Sequence, residues 1–325
     1  MIVTVTLNAA LGVVYQTPRL TPGAVNEVTG VRYLAAGRGI GVAKVLHTFG
    51  HEVIAAGLAG GAAGEMIRAD LSRAAIPADF TSIGRESRRV VEIRDEAGGL
   101  RTRLGEPGPY ITTEELGRFA ADYRRLLAGA TAVVLCGSLP AGMPTEIYGT
   151  LATYAAEAGV PAIIDAAGPA LRYGAARRPA LVVLEAADGL APARLVANGA
   201  GAAALLADHE IRAVTAEGQW RAWLPSAAQS GWSREALVAG LVPGVLLAWS
   251  WQDRLRHAVA LGAASNGGGA VDLTAYERLM ASVRAEPPDG GRAGPPGVVS
   301  AEPAASVRAG PPDGGPAEPP DGLPG

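Results

Sequence analysis

The sequence predicts an α/β protein built on a mainly parallel sheet, and three observations point there. Short apolar runs recur along the chain, each bounded by Gly, Pro or polar residues. Between them lie longer amphipathic stretches, the pattern of strands buried on both faces and joined by helices. Two segments break this rhythm by alternating polar and apolar residues, as half-exposed strands do. The chain has 325 residues, enough for one large or two small domains.

The elements follow in order. Residues 2–7, 53–57, 132–135, 162–165 and 180–184 read as buried strands, rich in Val, Ile, Leu or Ala. Residues 64–75, 113–127 and 145–158 read as helices. Thr112, Thr113, Glu114 and Glu115 form one helix start and Pro144, Thr145 and Glu146 another, with acid in the first turn. The exceptional segments, 13–34 and 88–104, form a small second sheet: a lid over the ligand site or a plain edge extension. In parallel sheets ligands bind beyond the carboxyl ends of the strands, so the site is expected there.

Composition removes several classes of function. A net charge of -3 gives no electrostatic reason to expect a nucleic acid or an acidic membrane as partner. Cys136 is the only cysteine, which excludes an internal disulfide framework and a multi-cysteine metal site. No metal site is expected. The amino-terminal residues lack a basic segment of the secretory kind. The longest apolar run, 236–251, is shorter than the ~20 residues a spanning helix needs and contains Pro243 and Gly244, so it reads as a buried core helix. These features predict a soluble cytoplasmic protein. Eleven of the 24 prolines fall in residues 285–325, where units such as PPDGG and RAGPP recur. That segment has few bulky apolar residues to offset the entropy of ordering it, so it reads as a disordered tail. The globular part is then residues 1–284.

Within 1–284 a series of short motifs carries a resemblance. LNAALGVVY, AAGRGIGVAKVLHTFGHEV, GLAGGAAGE, ESRRVVEI, EPGP, LCGSLPAGMP, IIDAAGPAL, HAVALGAAS and VDLTAYERL occur in the order and at the spacing of pfkB-type, ribokinase-like sugar kinases. The 1-phosphofructokinase and tagatose-6-phosphate kinase branch is the most similar. The resemblance implies a three-layer α/β sandwich with a β-sheet lid through which two copies pair. It implies transfer of the ATP γ-phosphoryl group, with Mg²⁺, to a hydroxyl of a sugar phosphate. Such chemistry needs polar groups on the sugar, cations on its phosphate, a backbone amide nest at a helix N-terminus, and a carboxylate base.

The resemblance assigns substrate contacts to Gly37, Arg38, Gly39, Arg88 and Ser138. A structural turn entering a helix accounts for the glycines equally well. Arg38 stands where lysine is common, and the arginines can hold a phosphate bidentately. Several positions depart from the family pattern. Gly12 and Gly41 stand where an aspartate and an asparagine would bind sugar hydroxyls. Glu27, in the lid, stands at a position that is commonly basic. The phosphoryl-transfer loop reads Gln229, Ser230, Gly231, Trp232, Ser233, Arg234, Glu235. Trp232 and Arg234 replace the two glycines of the nest, where backbone must approach phosphate closely. Glu235 stands for the aspartate base with one extra methylene, and a misplacement of ~1 Å can cost ~100-fold in rate. On the nucleotide side, residues 183–188 lack the expected asparagine and residues 205–210 lack two expected glycines. Asn266 to Gly269 replace an apolar stretch beside the base pocket.

Two functional readings follow. Residue chemistry favours a catalytically impaired family member that acts by binding a ligand or a protein. Family likeness favours a working sugar-phosphate kinase with Glu235 as base and Arg234 or Arg38 stabilising charge. Three remaining features read as structural. The tryptophans at 220, 223, 232, 249 and 251 lack basic interleaving of the kind that stacks nucleic acid. Cys136, on a strand end, reads as a buried thiol. His209 reads as a surface residue.

Overall fold

Strand β1 (Ile2–Thr6) is buried at every residue, and its side chains alternate between two apolar layers. Val3 and Val5 join one cluster, Ile2 the other. That alternation places helices on both faces of the sheet. In the computed structural model, β2 (Ala10–Thr17), β3 (Gly30–Ala36), α1 (Arg38–Thr48), β4 (Val53–Ala59), α2 (Gly61–Arg73) and β5 (Ala78–Ser82) follow β1. Then come β6 (Arg88–Asp95), β7 (Leu100–Gly105), α3 (Thr113–Leu127), β8 (Ala132–Cys136), α4 (Ile147–Glu157), β9 (Ala162–Asp165) and α5 (Gly168–Ala175). The remainder is β10 (Leu181–Glu185), α6 (Pro192–Ala197), β11 (Ala202–Leu206), β12 (Glu210–Thr215), β13 (Gln219–Trp223), α7 (Arg234–Leu246), α8 (Trp251–Ala263), α9 (Leu273–Met280) and β14 (Arg284–Glu286). The structure describes residues 1–207, 210–225, 231–265 and 269–287. The expectation for His209 and all of the expected tail beyond residue 287 lie outside them.

The main sheet is ten-stranded, in the order β14-β13-β12-β11-β10-β9-β8-β1-β4-β5. Its pairings from β11 to β5 are parallel, and those joining β11 through β14 are antiparallel. One face packs on Phe119 and Tyr123 of α3 and Ile147 and Leu151 of α4. The other packs on Val42 and Val45 of α1 and on the apolar run of α7. Helix α3 shows how sequence sets an element. Thr112 accepts the Glu115 N–H and Glu115 reaches back to the Thr112 N–H, a complete capping box. From there Phe119, Tyr123 and Leu126 recur at helical spacing on the buried face, each burial stabilising by about 1.5–3 kcal/mol.

The predicted strands and helices all form; 113–127 and 162–165 keep their ends and the others shift. The 145–158 helix starts at Ile147, and its N-cap, Glu146, makes no side-chain capping bond. The 236–251 helix is corrected more strongly. It begins at Arg234 and stops at Leu246. Ala248 turns left-handed (φ 49°), and Ser250 caps α8 by accepting the Asp253 N–H at 3.2 Å. The two irregular segments form a separate four-stranded sheet, β3-β2-β6-β7, so a projecting sheet replaces the plain edge extension. Its register puts Tyr33, Val13, Val91 and Leu104 side by side on one face. Tyr33 and Leu104 are exposed. The opposite face carries Arg88 and, further out, Glu92 held by Arg94 at 2.7 Å and Arg103 at 3.0 Å. Among the described residues no helix is long and apolar enough to cross a membrane.

Candidate functional site

The site lies at the carboxyl ends of β1, β8 and β9, where the lid sheet meets the main one. Helix α1 enters it through Gly37, whose φ of 129° suits glycine alone. A Cβ there would lie 2.6 Å from Thr6 Cγ2. Gly39 is held just as tightly, since a Cβ would meet Thr6 Oγ1 at 2.5 Å and the Val5 carbonyl at 2.7 Å. These glycines bring the start of α1 hard against β1 and so aim Arg38 across the strand ends.

Gly37, Arg38, Arg88, Ser138 and Glu235 line one cavity of about 200 Å³, together with Thr6, Asn8, Cys136 and Gly137. The structure therefore brings together five of the residues singled out in the sequence. Gly39 packs behind the cavity rather than in it. Asn8 donates from Nδ2 to Ser138 Oγ at 3.1 Å, while its buried Oδ1 has no protein partner among the described residues. Arg88 donates from Nε to the Asn8 carbonyl at 3.3 Å, and burial lowers its pKa. Burial also pushes the Cys136 thiol up, so it is an inert neutral group, as its sequence context suggests. A larger cavity, about 470 Å³, lies elsewhere, between Leu224 and residues 279–284.

Asp165 is the fully buried last residue of β9 and the hub of the charge network. Its Oδ1 accepts from Arg234 Nε at 2.9 Å and Nη2 at 2.5 Å, and from Arg38 Nη1 at 3.3 Å. Arg234 Nη1 also pairs with Glu185 at the end of β10. Burial pushes the Asp165 carboxyl up, while Arg38 and Arg234 pull it back. Burial works against the Arg234 guanidinium too, but Asp165 and Glu185 outweigh it and hold its pKa above the ordinary arginine value. Neither Asp165 nor Glu185 was singled out as a site residue from sequence. The available signal was a lone carboxylate ending an apolar strand, which requires a buried partner.

The loop before α7 departs from the expected amide nest in a definite way. Ser233 is the N-cap and its Oγ accepts the Ala236 N–H at 3.3 Å. Glu235 Oε2 accepts from the same hydroxyl at 3.1 Å. Trp232 packs into the α7–α8 core, Gly231 is exposed with φ 71°, and Arg234 turns inward to Asp165. Gln229 and Ser230 lie outside the described residues. Gly12 is likewise filled: a Cβ there would meet Leu34 and Ala36, at 3.0 and 3.3 Å. Lys44, the only lysine, bonds Asp70 at 3.2 Å between α1 and α2, away from the cavity. The tryptophans serve the core, Trp220 stacking on Trp251 with Arg254 over the latter's ring. Among the described residues no cluster of three or more His, Cys, Asp or Glu is placed to hold a metal ion.

Known structures share this arrangement of sheets. A possible 1-phosphofructokinase from Thermotoga maritima superposes with a TM-score of 0.77 at 21% identity, over 88% of this chain and 99% of that one. Phosphofructokinase-2 from Escherichia coli, in complex with fructose-6-phosphate, gives 0.79 at 22% identity, over 86% and 98%. A carbohydrate kinase from Agrobacterium tumefaciens gives 0.69 at 16%, over 88% and 99%. At these identities the likeness carries the fold. The family description "pfkB family carbohydrate kinase" matches residues 5–194, more than half of the chain. With the ribokinase-like sandwich and its lid sheet, that match shows that the chain belongs to the pfkB family of carbohydrate kinases.

Proposed function

We propose that this chain is a sugar-phosphate-binding member of its family whose phosphoryl-transfer centre is occupied by an internal ion pair, so that it acts by binding rather than turnover. One observation carries the reading: the Arg234 side chain is spent on Asp165 and Glu185 at the very start of α7. Kinases of the family use ATP and Mg²⁺. A transferring phosphoryl group needs open backbone N–H groups at a helix N-terminus and a backbone that it can approach. Here Ser233 takes the Ala236 N–H and a guanidinium side chain replaces glycine. The residues at this helix start do not fit the group: Asp165 Oδ1 and Glu185 are already paired with arginines, and only the buried Asp165 Oδ2 is left without a partner among the described residues.

The sugar-phosphate half fits better. Arg38 and Arg88 supply charge, and Asn8, Ser138 and Glu235 supply polar groups within one cavity. The second reading, a working kinase with Glu235 as base, is favoured by Glu235 sharing that cavity. Pairing of two copies through the exposed lid face, and a cytoplasmic location, belong to the same proposal.

Thermal shifts with fructose 1-phosphate, fructose 6-phosphate, tagatose 6-phosphate and ATP test it. Stabilisation by a sugar phosphate and none by ATP supports the binding reading. Stabilisation by both, with phosphate transfer lost in Glu235→Gln, establishes the kinase instead.

A further inference from the structure

Glu235 and Gly41 occupy one slot. A Cβ on Gly41, in the first turns of α1, would lie 2.7 Å from Glu235 Cγ and 3.0 Å from its Cβ. Carbon atoms do not approach so closely, so the glutamate stem fills the space a side chain at 41 would take. The other end of Glu235 is held by the Ser233 hydroxyl, which donates to Oε2 at 3.1 Å. The carboxylate is thus braced between two helices and presented to the cavity that Arg38 and Arg88 also line. The cavity holds two guanidiniums and one carboxylate, with the buried Asn8 Oδ1 as a further acceptor lacking a partner among the described residues.

We propose that Gly41 and Ser233 are positioning residues that seat Glu235 as a hydroxyl acceptor, making the cavity selective for a hydroxylated phosphate monoester. The inference rests on the reading that this cavity takes a sugar phosphate. The arginines bind the phosphate. Glu235 and Asn8 accept from sugar hydroxyls. Inorganic phosphate offers Glu235 little to accept from, and a second phosphate on the sugar brings like charge against it, which costs affinity. Selection against a bisphosphate therefore follows from the same carboxylate.

The test uses full-length protein and three probes in calorimetry: fructose 6-phosphate, fructose 1,6-bisphosphate and inorganic phosphate. Wild type is expected to prefer fructose 6-phosphate by about tenfold or more over both others, a difference of ~1.4 kcal/mol. Glu235→Gln keeps the shape and removes the charge, so discrimination against the bisphosphate should vanish while fructose 6-phosphate still binds. Gly41→Ala should weaken fructose 6-phosphate in wild type and change nothing in Glu235→Ala. Discrimination against the bisphosphate that is untouched by Glu235→Gln, or Gly41→Ala and Glu235→Ala effects that add, overturns the proposal. A denaturant cycle on the same variants separates two failures. If Gly41→Ala destabilises wild type but not Glu235→Ala, the seat exists. Failure of every probe to bind wild type then overturns the sugar-phosphate reading and with it the selectivity.

Discussion

Arg234 Nη2 lies 2.5 Å from Asp165 Oδ1, joining residues 69 positions apart across the start of α7 and the end of β9. A carboxylate that deep is tolerable only with a partner, and among the described residues Arg234 provides two of its three hydrogen bonds to side chains, all three at Oδ1. Removing the guanidinium by Arg234→Ala should cost about 3–5 kcal/mol, because it leaves a buried charge undercompensated. Urea unfolding should show a lowered midpoint at unchanged slope. Adding Asp165→Asn should restore much of the loss, whereas equal destabilisation in the double variant would show that the pair is not what holds the site.

The capping box of α3 gives an acid-side prediction. Hydrogen bonds from the Thr112 and Gly84 N–H groups hold the Glu115 carboxyl below its ordinary value of 4.5. In the lid, burial raises Glu92 but Arg94 and Arg103 more than reverse it. A carboxylate with a lowered folded pKa contributes fully above its unfolded value, and the contribution drains as pH falls through and below about 4.5. Glu115→Gln and Glu92→Gln should each flatten the fall in stability on that limb. Thr112→Ala should cost about 1 kcal/mol at neutral pH, and Thr112→Ser much less.

His257 works in the same direction at higher pH. Burial lowers its pKa from 6.5, the Gly240 carbonyl it donates to raises it in part, and His51 lowers it further. Phe49, Trp249 and Tyr276 enclose the ring edge-on. Above about 6.5 both folded and unfolded imidazoles are neutral. As pH falls below that, the unfolded state binds the proton first, so stability drops. His257→Gln should remove this part of the pH slope; an unchanged slope between neutrality and pH 5 would contradict it.

The strands were legible because β8, β9 and β10 are short, mostly apolar runs, as strands buried on both faces tend to be, while β1 is broken by Thr4 and Thr6 yet rich enough in Ile and Val to read the same way. The lid was legible from its period of two, visible in the pairing of Val13 with Val91 and Tyr33. The antiparallel strands β12–β14 were not. Their residues, QWRAW among them, mix charge and indole because Arg221 lies over Trp223 and Trp220 stacks on Trp251, contacts made only after folding. At the site, the loss of glycine at 232 and 234 could be read in one dimension. What replaced it could not, since the partners of Arg234 sit on β9 and β10. Gly41 and Glu235 looked like two separate losses. In three dimensions they are one exchange of volume.

The lid face predicts association. Tyr33 and Leu104 are 48% and 56% exposed on the two edge strands of the lid, either side of Val13 and Val91, which pack on the chain's own core. Burying such apolar area is the usual reason for leaving it bare in one copy. Light scattering should give the mass of a dimer, and Leu104→Lys with Tyr33→Lys should shift it to monomer with the fold intact. A monomeric wild type would contradict lid pairing.

Steady-state transfer of phosphate from ATP to fructose 1-phosphate, fructose 6-phosphate and tagatose 6-phosphate, measured on the full-length protein with Mg²⁺, bears most directly on the proposal that the transfer centre is closed. With Arg234 locked on Asp165 and Ser233 capping α7, the expected result is no turnover above the uncatalysed background with any of the three. Turnover that disappears in Glu235→Gln would contradict it and make this chain a working kinase.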